Sequence, residues 1–161
     1  MARVLIIEGG ERALRLAELL VDEGNAVRLT TEREQRREAI TGVGAECWIG
    51  TPTRLATLRA ALESVSVVCW LLAGLSAEHD LHTSRLEFFL GQIVDSTVRG
   101  FVYEIPGAEL PPELRERSKE IARGMCQKNS IPLEVIDADP GAGEWLQVAH
   151  SAIASVLGAA R

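Results

Sequence analysis

Short apolar runs alternate with longer amphipathic stretches along the whole chain. Six runs are of strand length, and we predict a β-strand at each: 3–8, 26–30, 46–50, 66–74, 100–105 and 132–138. The run at 66–74, SVVCWLLAG, is apolar at nearly every position, as expected of a central parallel strand that is covered on both faces. The stretches between the runs carry apolar residues at helical spacing, such as Ala13, Leu14, Ala17, Leu20 and Val21 after the first strand.

These amphipathic stretches predict six helices, at 11–25, 33–44, 51–65, 78–97, 111–129 and 143–159. The third would begin at a cap on Thr51 or Thr53 and present Leu55, Leu58, Ala61 and Leu62 on one face. Parallel strands joined by helices of this length require right-handed crossovers. The sequence therefore predicts an α/β fold, a doubly wound six-stranded parallel sheet of the Rossmann type with order 3-2-1-4-5-6 and helices on both faces. We expect residues 1–161 to form one domain.

The composition of the chain narrows the range of functions that it can have. Of the 161 residues, 47% are hydrophobic and 25% charged, as in an ordinary globular protein, and the formal net charge is −6. An acidic chain is a poor match for nucleic acid or an anionic membrane surface, and no stretch reaches the ~20 apolar residues that span a bilayer. Cys47, Cys69 and Cys126 are odd in number and form no CxxC pair, which favours a reduced, cytoplasmic setting.

The segment RVLIIEGGERAL places two glycines where the first strand meets the first helix. Gly9 and Gly10 would allow an anion to approach the helix N-terminus closely, as in a pyrophosphate-binding turn. Glu8 and Glu11 flank them and would repel a phosphate, although Arg12 could offset one charge by turning inward. Two interpretations follow: a weakened cofactor turn, or a tight corner that caps its own helix.

The end of the second strand is the other place where a dinucleotide would be bound, and the residues there distinguish NAD from NADP. An acidic residue there binds ribose hydroxyls, whereas a basic one accepts a 2′-phosphate. The chain offers both, as Glu32 and Arg33, with Thr30 or Thr31 available as a helix cap. Glu32 indicates NAD and Arg33 indicates NADP; the extra arginines behind them, Arg36 and Arg37, tilt the choice towards NADP. An exposed helix start is the alternative.

The order of RVLIIEGG, AVRLTTER, GAECWIGTPTRLATLRAALESVSVVCWLLAG, GFVYEIPG and SKEIARGMCQKNSIPLEVIDADPG resembles the NAD(P)-binding Rossmann proteins of the atypical short-chain dehydrogenase type, which include NmrA-like and epimerase-like members. The resemblance spans nearly the whole chain and is most specific at 44–74. It implies an NAD or NADP site, to which we assign Gly9, Gly10, Arg12, Thr31, Arg33, Thr51, Ala73 and Gly74.

The chain also departs from that family. Its phosphate turn is about two residues shorter, and Ala13 stands at the third glycine. Thr51 replaces the aspartate that lies near the adenine in the family, and Arg115 stands where the catalytic tyrosine would precede Lys119. The usual oxidoreductase machinery is therefore not expected, and we assign no catalytic residue and no metal site. His79 and His82 lack a third ligand in the sequence.

Three functions are compatible with these features. The first is a compact Rossmann protein that binds NAD(P) or another nucleotide weakly without short-chain dehydrogenase catalysis. The second is a non-catalytic module that pairs with itself or a partner through the helices at 78–97 and 111–129, where Phe88 and Phe89 cannot both face one core. The third is a small NADP-dependent reductase or isomerase that uses another proton donor, such as Tyr103 or Glu104.

Overall fold

The computed structural model describes residues 2–8, 10–75 and 78–159. Within them, the chain forms a six-stranded parallel sheet of order β3-β2-β1-β4-β5-β6, which confirms the predicted Rossmann topology. The strands are β1 (Arg3–Ile7), β2 (Ala26–Thr31), β3 (Glu46–Ile49), β4 (Val67–Trp70), β5 (Gly100–Glu104) and β6 (Leu133–Ile136). β1 lies at the centre: Val4 is in register with Val27 of β2 on one side and with Val67 of β4 on the other.

Helices cover both faces of the sheet. They are α1 (Gly10–Asp22), α2 (Arg37–Gly42), α3 (Ser84–Ile93), α4 (Pro112–Lys128) and α5 (Trp145–Ala159). Alternate side chains of each strand point to opposite faces, so Val4 and Ile6 pack on the side of α1 and α5, whereas Leu5 and Ile7 pack on the side of α3 and α4. In the part of the chain described, no helix is both long and apolar enough to cross a membrane.

The predicted helix at 51–65 is wrong. Two short 3₁₀ segments, Leu55–Leu58 and Ala60–Leu62, take its place, although Leu58, Ala61 and Leu62 are buried as expected. Side chains from the sheet donate hydrogen bonds to backbone carbonyls of this segment. The indole of Trp48 donates to the carbonyl of Thr57 at 2.8 Å. The buried guanidinium of Arg28 donates to the carbonyls of Ala61 and Glu63. These hydrogen bonds tie the segment to the sheet in a conformation other than a regular α-helix.

Other elements are shorter than predicted. The helix expected at 33–44 is a 3₁₀ turn, Glu34–Arg36, followed by α2, and the one at 78–97 is a 3₁₀ turn, His79–His82, followed by α3. β4 ends at Trp70 rather than at residue 74. The chain therefore leaves the sheet early at its centre, next to the site described below.

Candidate functional site

Two cavities open along the carboxyl edge of the sheet, where doubly wound folds bind ligands. The β1–β3 cavity, of about 350 Å³, is lined by Glu8, Gly10, Thr31, Glu32, Arg33, Arg36, Thr51, Thr53, Leu75 and Glu78. The β4–β6 cavity, of about 480 Å³, is lined by Ala73, Gly74, Ile105, Pro106, Gly107, Ala108, Glu109, Arg115, Asp137, Ala138, Asp139 and Pro140. Both volumes are within the range of small-ligand sites.

Most residues assigned to a cofactor from the sequence line these two cavities. Gly10, Thr31, Arg33 and Thr51 converge on the β1–β3 cavity. Ala73 and Gly74 line the β4–β6 cavity instead. Gly9 lies outside the described residues. Gly10 begins α1 with a φ of 62°, a left-handed backbone that glycine adopts without strain.

Glu8 directly follows β1 and also has a left-handed backbone, with a φ of 61°, and its N–H donates to Thr30 Oγ1 at 3.1 Å. Its carboxyl group faces the β1–β3 cavity. Burial, followed by the nearby negative charge of Glu32, raises the pKa of Glu8 to about 7, while Arg33 and Arg36 act weakly in the opposite direction. The cavity therefore gains a negative charge within the physiological pH range.

The two arginines of this cavity have different surroundings. Arg36 forms an ion pair with Glu11 in the first turn of α1, with an Nη1–Oε1 distance of 2.7 Å. The guanidinium of Arg33 makes no hydrogen bond or ion pair with any residue that the structure describes, and its backbone N–H is held by Thr31 Oγ1 at 3.1 Å. Arg33 thus supplies an exposed, unpaired positive charge next to the end of β2.

The floor of the cavity on the β3 side is a turn built around Thr51. Its N–H donates to Thr57 Oγ1 at 2.9 Å, and its hydroxyl lies 3.0 Å from that of Thr53. Gly50 precedes this turn, and a Cβ there would approach the carbonyl oxygen of Thr57 to 3.0 Å. The turn therefore depends on a close backbone approach, and it presents two hydroxyl groups where the family resemblance implies a carboxylate.

Arg12 points away from the β1–β3 cavity. Its guanidinium forms a two-armed ion pair with Glu104, in which Nη2 lies 2.6 Å from Oε1 and Nη1 contacts Oε2. The guanidinium also stacks on the ring of Trp145, 4.4 Å from the ring centroid. The fully buried carboxylate of Glu104 accepts two further hydrogen bonds at 2.9 Å, from the N–H of Ala73 and the indole of Trp145. Arg12 has turned inward, but towards a residue 92 positions away.

The residues considered as alternative proton donors are buried in the protein. Tyr103 and Glu104 are both fully buried, and burial raises the pKa of Tyr103 to about 12. Lys119 forms an ion pair with Glu116, at 2.6 Å, on the same helix. His82 is buried with Nε2 3.2 Å from the carbonyl of Leu75, and burial lowers its pKa, whereas His79 is exposed.

Several residues of the site are not evident from the sequence. The roles of Trp145 and Glu104 in the site arise from contacts between distant segments of the chain. No local sequence pattern reveals such contacts. Asp137 and Asp139 lie at the end of a predicted strand and just after it, so the rule that ligands lie at strand carboxyl ends could have indicated them. The sequence marks Arg115 as a missing tyrosine but gives no sign that its positive charge faces a cavity.

No protein-family model and no curated protein matches the chain. Solved structures do. A Rossmann-fold NAD(P)-binding family protein from Shigella flexneri is 16% identical, with a TM-score of 0.60 over 84% of this chain and 66% of its own. A short-chain dehydrogenase/reductase superfamily protein from Agrobacterium tumefaciens with bound NAD is 15% identical, with a TM-score of 0.64 over 98% of this chain and 62% of its own. A yeast methylglyoxal/isovaleraldehyde reductase complexed with NADPH is 11% identical, with a TM-score of 0.60 over 84% of this chain and 54% of its own.

The chain thus spans between about half and two thirds of the length of these structures. At identities this low, the likeness establishes a shared fold. The resemblance noted in the sequence is confirmed at that level: the structural neighbours of this chain are Rossmann-fold proteins of the NAD(P)-binding short-chain dehydrogenase and epimerase type.

Proposed function

We propose that this chain binds an adenine nucleotide of the NAD(P) type, weakly, in the β1–β3 cavity, and that it lacks short-chain dehydrogenase catalysis. The observation that carries the proposal is the convergence of Gly10, Thr31, Arg33 and Thr51 on one cavity at the carboxyl edge of the sheet. Structural neighbours with bound NAD and NADPH share the fold and support it.

The residues fit the adenosine half of such a ligand best. The unpaired guanidinium of Arg33, at the end of β2, is suited to a ribose 2′-phosphate, which favours NADP over NAD. The hydroxyl groups of Thr51 and Thr53 offer hydrogen bonds on the adenine side. Glu11 is directed at Arg36, so it competes less with a phosphate for the free N–H groups of α1.

Two features limit the affinity. Glu8 places a partly ionised carboxyl group in the same cavity and repels phosphate oxygens near neutral pH. Arg12 is committed to Glu104 and is not free to bind the pyrophosphate. We therefore expect dissociation constants well above those of a working dehydrogenase.

A nicotinamide cofactor supplies hydride transfer when bound, but a short-chain dehydrogenase also positions a hydroxyl proton donor beside a lysine. By the sequence resemblance, Arg115 stands at the donor position. In the structure, Lys119 is paired with Glu116 and Tyr103 is buried. This arrangement supports the proposal of binding without turnover.

Thermal unfolding with NADP⁺, NAD⁺ and 2′,5′-ADP tests the proposal. A ligand at ~100 times its dissociation constant adds ~2.7 kcal/mol of stability. We expect NADP⁺ and 2′,5′-ADP to raise the melting temperature more than NAD⁺ does, and Arg33→Gln to remove that difference.

Arg37→Gln is the matched control, because Arg37 pairs with Glu34 on the surface and does not line the cavity. A lack of any shift at millimolar ligand would contradict nucleotide binding. NADPH oxidation with a panel of carbonyl compounds would instead contradict the absence of catalysis.

A second candidate function is self-association, which one observation favours. Phe89 is buried, whereas its neighbour Phe88 on α3 is 59% exposed. This fulfils the expectation that one of the two phenylalanines faces outward. α3 packs against α4, and the exposed Phe88 lies on α3, one of the two helices that would form a homodimer interface.

A further inference from the structure

The lining of the β4–β6 cavity includes a charged group that has no hydrogen-bond or ion-pair partner for its side chain among the described residues. Arg115, in the first turns of α4, lines this cavity, and its Nε is buried with no hydrogen-bond acceptor. Its guanidinium forms no ion pair with any residue in the described ranges, since the adjacent Glu116 is directed at Lys119. Among the described residues, its hydrogen bonds are made by its backbone: its N–H donates to the carbonyl of Pro111, and its carbonyl accepts from the hydroxyl of Ser118. Its charge acts on Glu116 as the weakest of the influences that lower the pKa of that carboxyl group.

A buried arginine donor without an acceptor is unusual, because leaving such a group unpaired is unfavourable. The planar guanidinium matches a carboxylate, which can accept two parallel hydrogen bonds from it. Arg115 lines a cavity of about 480 Å³ and is half-buried, so its unpaired guanidinium points to a small ligand that carries a carboxylate.

The rest of the lining has the opposite charge. Glu109, Asp137 and Asp139 border the same cavity and are exposed. Asp139 also holds its own loop, where it accepts a hydrogen bond from the N–H of Gly141 at 2.8 Å. A purely anionic ligand would be attracted by Arg115 but repelled by these three carboxylates. A ligand with a positive group at its other end would be attracted by both sides.

We propose that the β4–β6 cavity binds a small organic zwitterion, with its carboxylate on Arg115 and its ammonium group towards Asp137 and Asp139. The small and apolar remainder of the lining, including Ala108 and Ala138, suits an aliphatic chain between the two charges. This cavity shares no lining residue with the β1–β3 cavity, so the proposal can be tested independently of nucleotide binding.

The test uses ω-amino carboxylates from glycine to 6-aminohexanoate, each at millimolar concentration, and follows the Nε–Hε NMR resonance of Arg115. The matched straight-chain carboxylates and amines serve as probes that carry only one charge. We expect at least one zwitterion to shift the resonance saturably and to bind at least fivefold more tightly than its carboxylate and amine counterparts. Asp137→Asn should weaken binding of that zwitterion severalfold, but it should not weaken binding of the plain carboxylate, which Asp137 repels.

Arg115→Gln should weaken binding at least tenfold, as followed by the backbone amide resonances of Gly107 and Ala138. The control is Arg117→Gln, on the same helix but outside the cavity lining, which should leave binding unchanged. Failure of every zwitterion to shift the wild-type resonance would overturn the proposal, whether or not the variants fold. Equal binding of a zwitterion and its plain carboxylate would overturn it as well, because the acidic side would then have no role.

Discussion

At the scale of single residues, the charge of Glu8 sets how strongly the β1–β3 cavity repels an anion. Its carboxyl group is partly buried, close to Glu32, and placed where a phosphate would meet the start of α1. Arg33 and Arg36 face the same cavity but do not compensate fully, since the pKa of Glu8 is still raised to about 7. We therefore expect protonation of Glu8 to change both the stability of the fold and the proposed affinity for nucleotides.

Replacing this group in Glu8→Gln should stabilise the protein at pH 8 but not at pH 4.5. In the wild type, the raised pKa means that the folded state holds its proton more tightly than the unfolded chain does, so stability is lost as the pH rises from about 4.5 through 7. Allowing for solvent screening of a partly exposed group, we expect a gain of about 1–2 kcal/mol at pH 8. Urea denaturation at both pH values measures it.

Glu18→Gln, on the exposed face of α1, is the control and should change stability little at either pH. The same Glu8→Gln variant should bind 2′,5′-ADP more tightly than wild type at pH 8 and equally at pH 5. A stabilisation that is the same at both pH values would show that ionisation of Glu8 is not its cause.

At the scale of elements, one polar cluster joins three segments that are far apart in sequence. Arg12 from the first turn of α1, Glu104 from the end of β5 and Trp145 from the start of α5 meet beneath the carboxyl edge of the sheet. The N–H of Ala73 adds the segment after β4. The cluster therefore fixes the N-terminus of α1, and with it the position of Gly10 in the cavity above.

A double-mutant cycle with Arg12→Leu and Glu104→Gln measures this coupling. Removing one partner of a buried ion pair leaves the other charge uncompensated, which typically costs about 3–5 kcal/mol. The amide introduced by Glu104→Gln would retain an oxygen acceptor for the N–H of Ala73 or the indole of Trp145. We therefore expect the double variant to lose about 1–3 kcal/mol less than the sum of the two single losses.

Urea denaturation of the two single variants and the double variant gives the three values of this cycle. Arg15→Leu, at an exposed position of α1, controls for effects of the substitution on the helix itself. Strictly additive single losses would argue against a coupled pair.

Elements set by local pattern are predictable from the sequence, and those set by distant contacts are not. The six strands and their order follow from apolar runs such as RVLII and from the handedness of crossovers. The periodicity of 51–65 predicts a helix, but Arg28 and Trp48, outside that segment, bind its carbonyls. The gathering of Thr31 and Thr51 around one cavity follows from topology, whereas the pairing of Arg12 with Glu104 requires the folded structure.

At the scale of the whole molecule, the polar edge and the flank formed by α3 and α4 are separate surfaces. The edge holds both cavities, whereas the flank presents Phe88 at 59% exposure and Val94 at 40%. The proposed nucleotide binding and self-association would therefore use different residues, and we expect that each can be removed without the other.

Phe88→Asp tests self-association directly. If two copies meet through this flank, a carboxylate at position 88 would be buried against apolar surface, and we expect the dimer dissociation constant to rise at least tenfold. Sedimentation equilibrium across a range of protein concentrations measures it.

Phe88→Leu keeps an apolar side chain and should retain most of the association. Ile49→Asp is a second control, because it places the same charge on another exposed apolar position, on β3. Because Phe88 lies outside the β1–β3 cavity, its variants should respond to NADP⁺ as wild type does. A wild-type chain that sediments as a monomer at every concentration would leave Phe88 without this role, and nucleotide binding would then stand as the function to pursue.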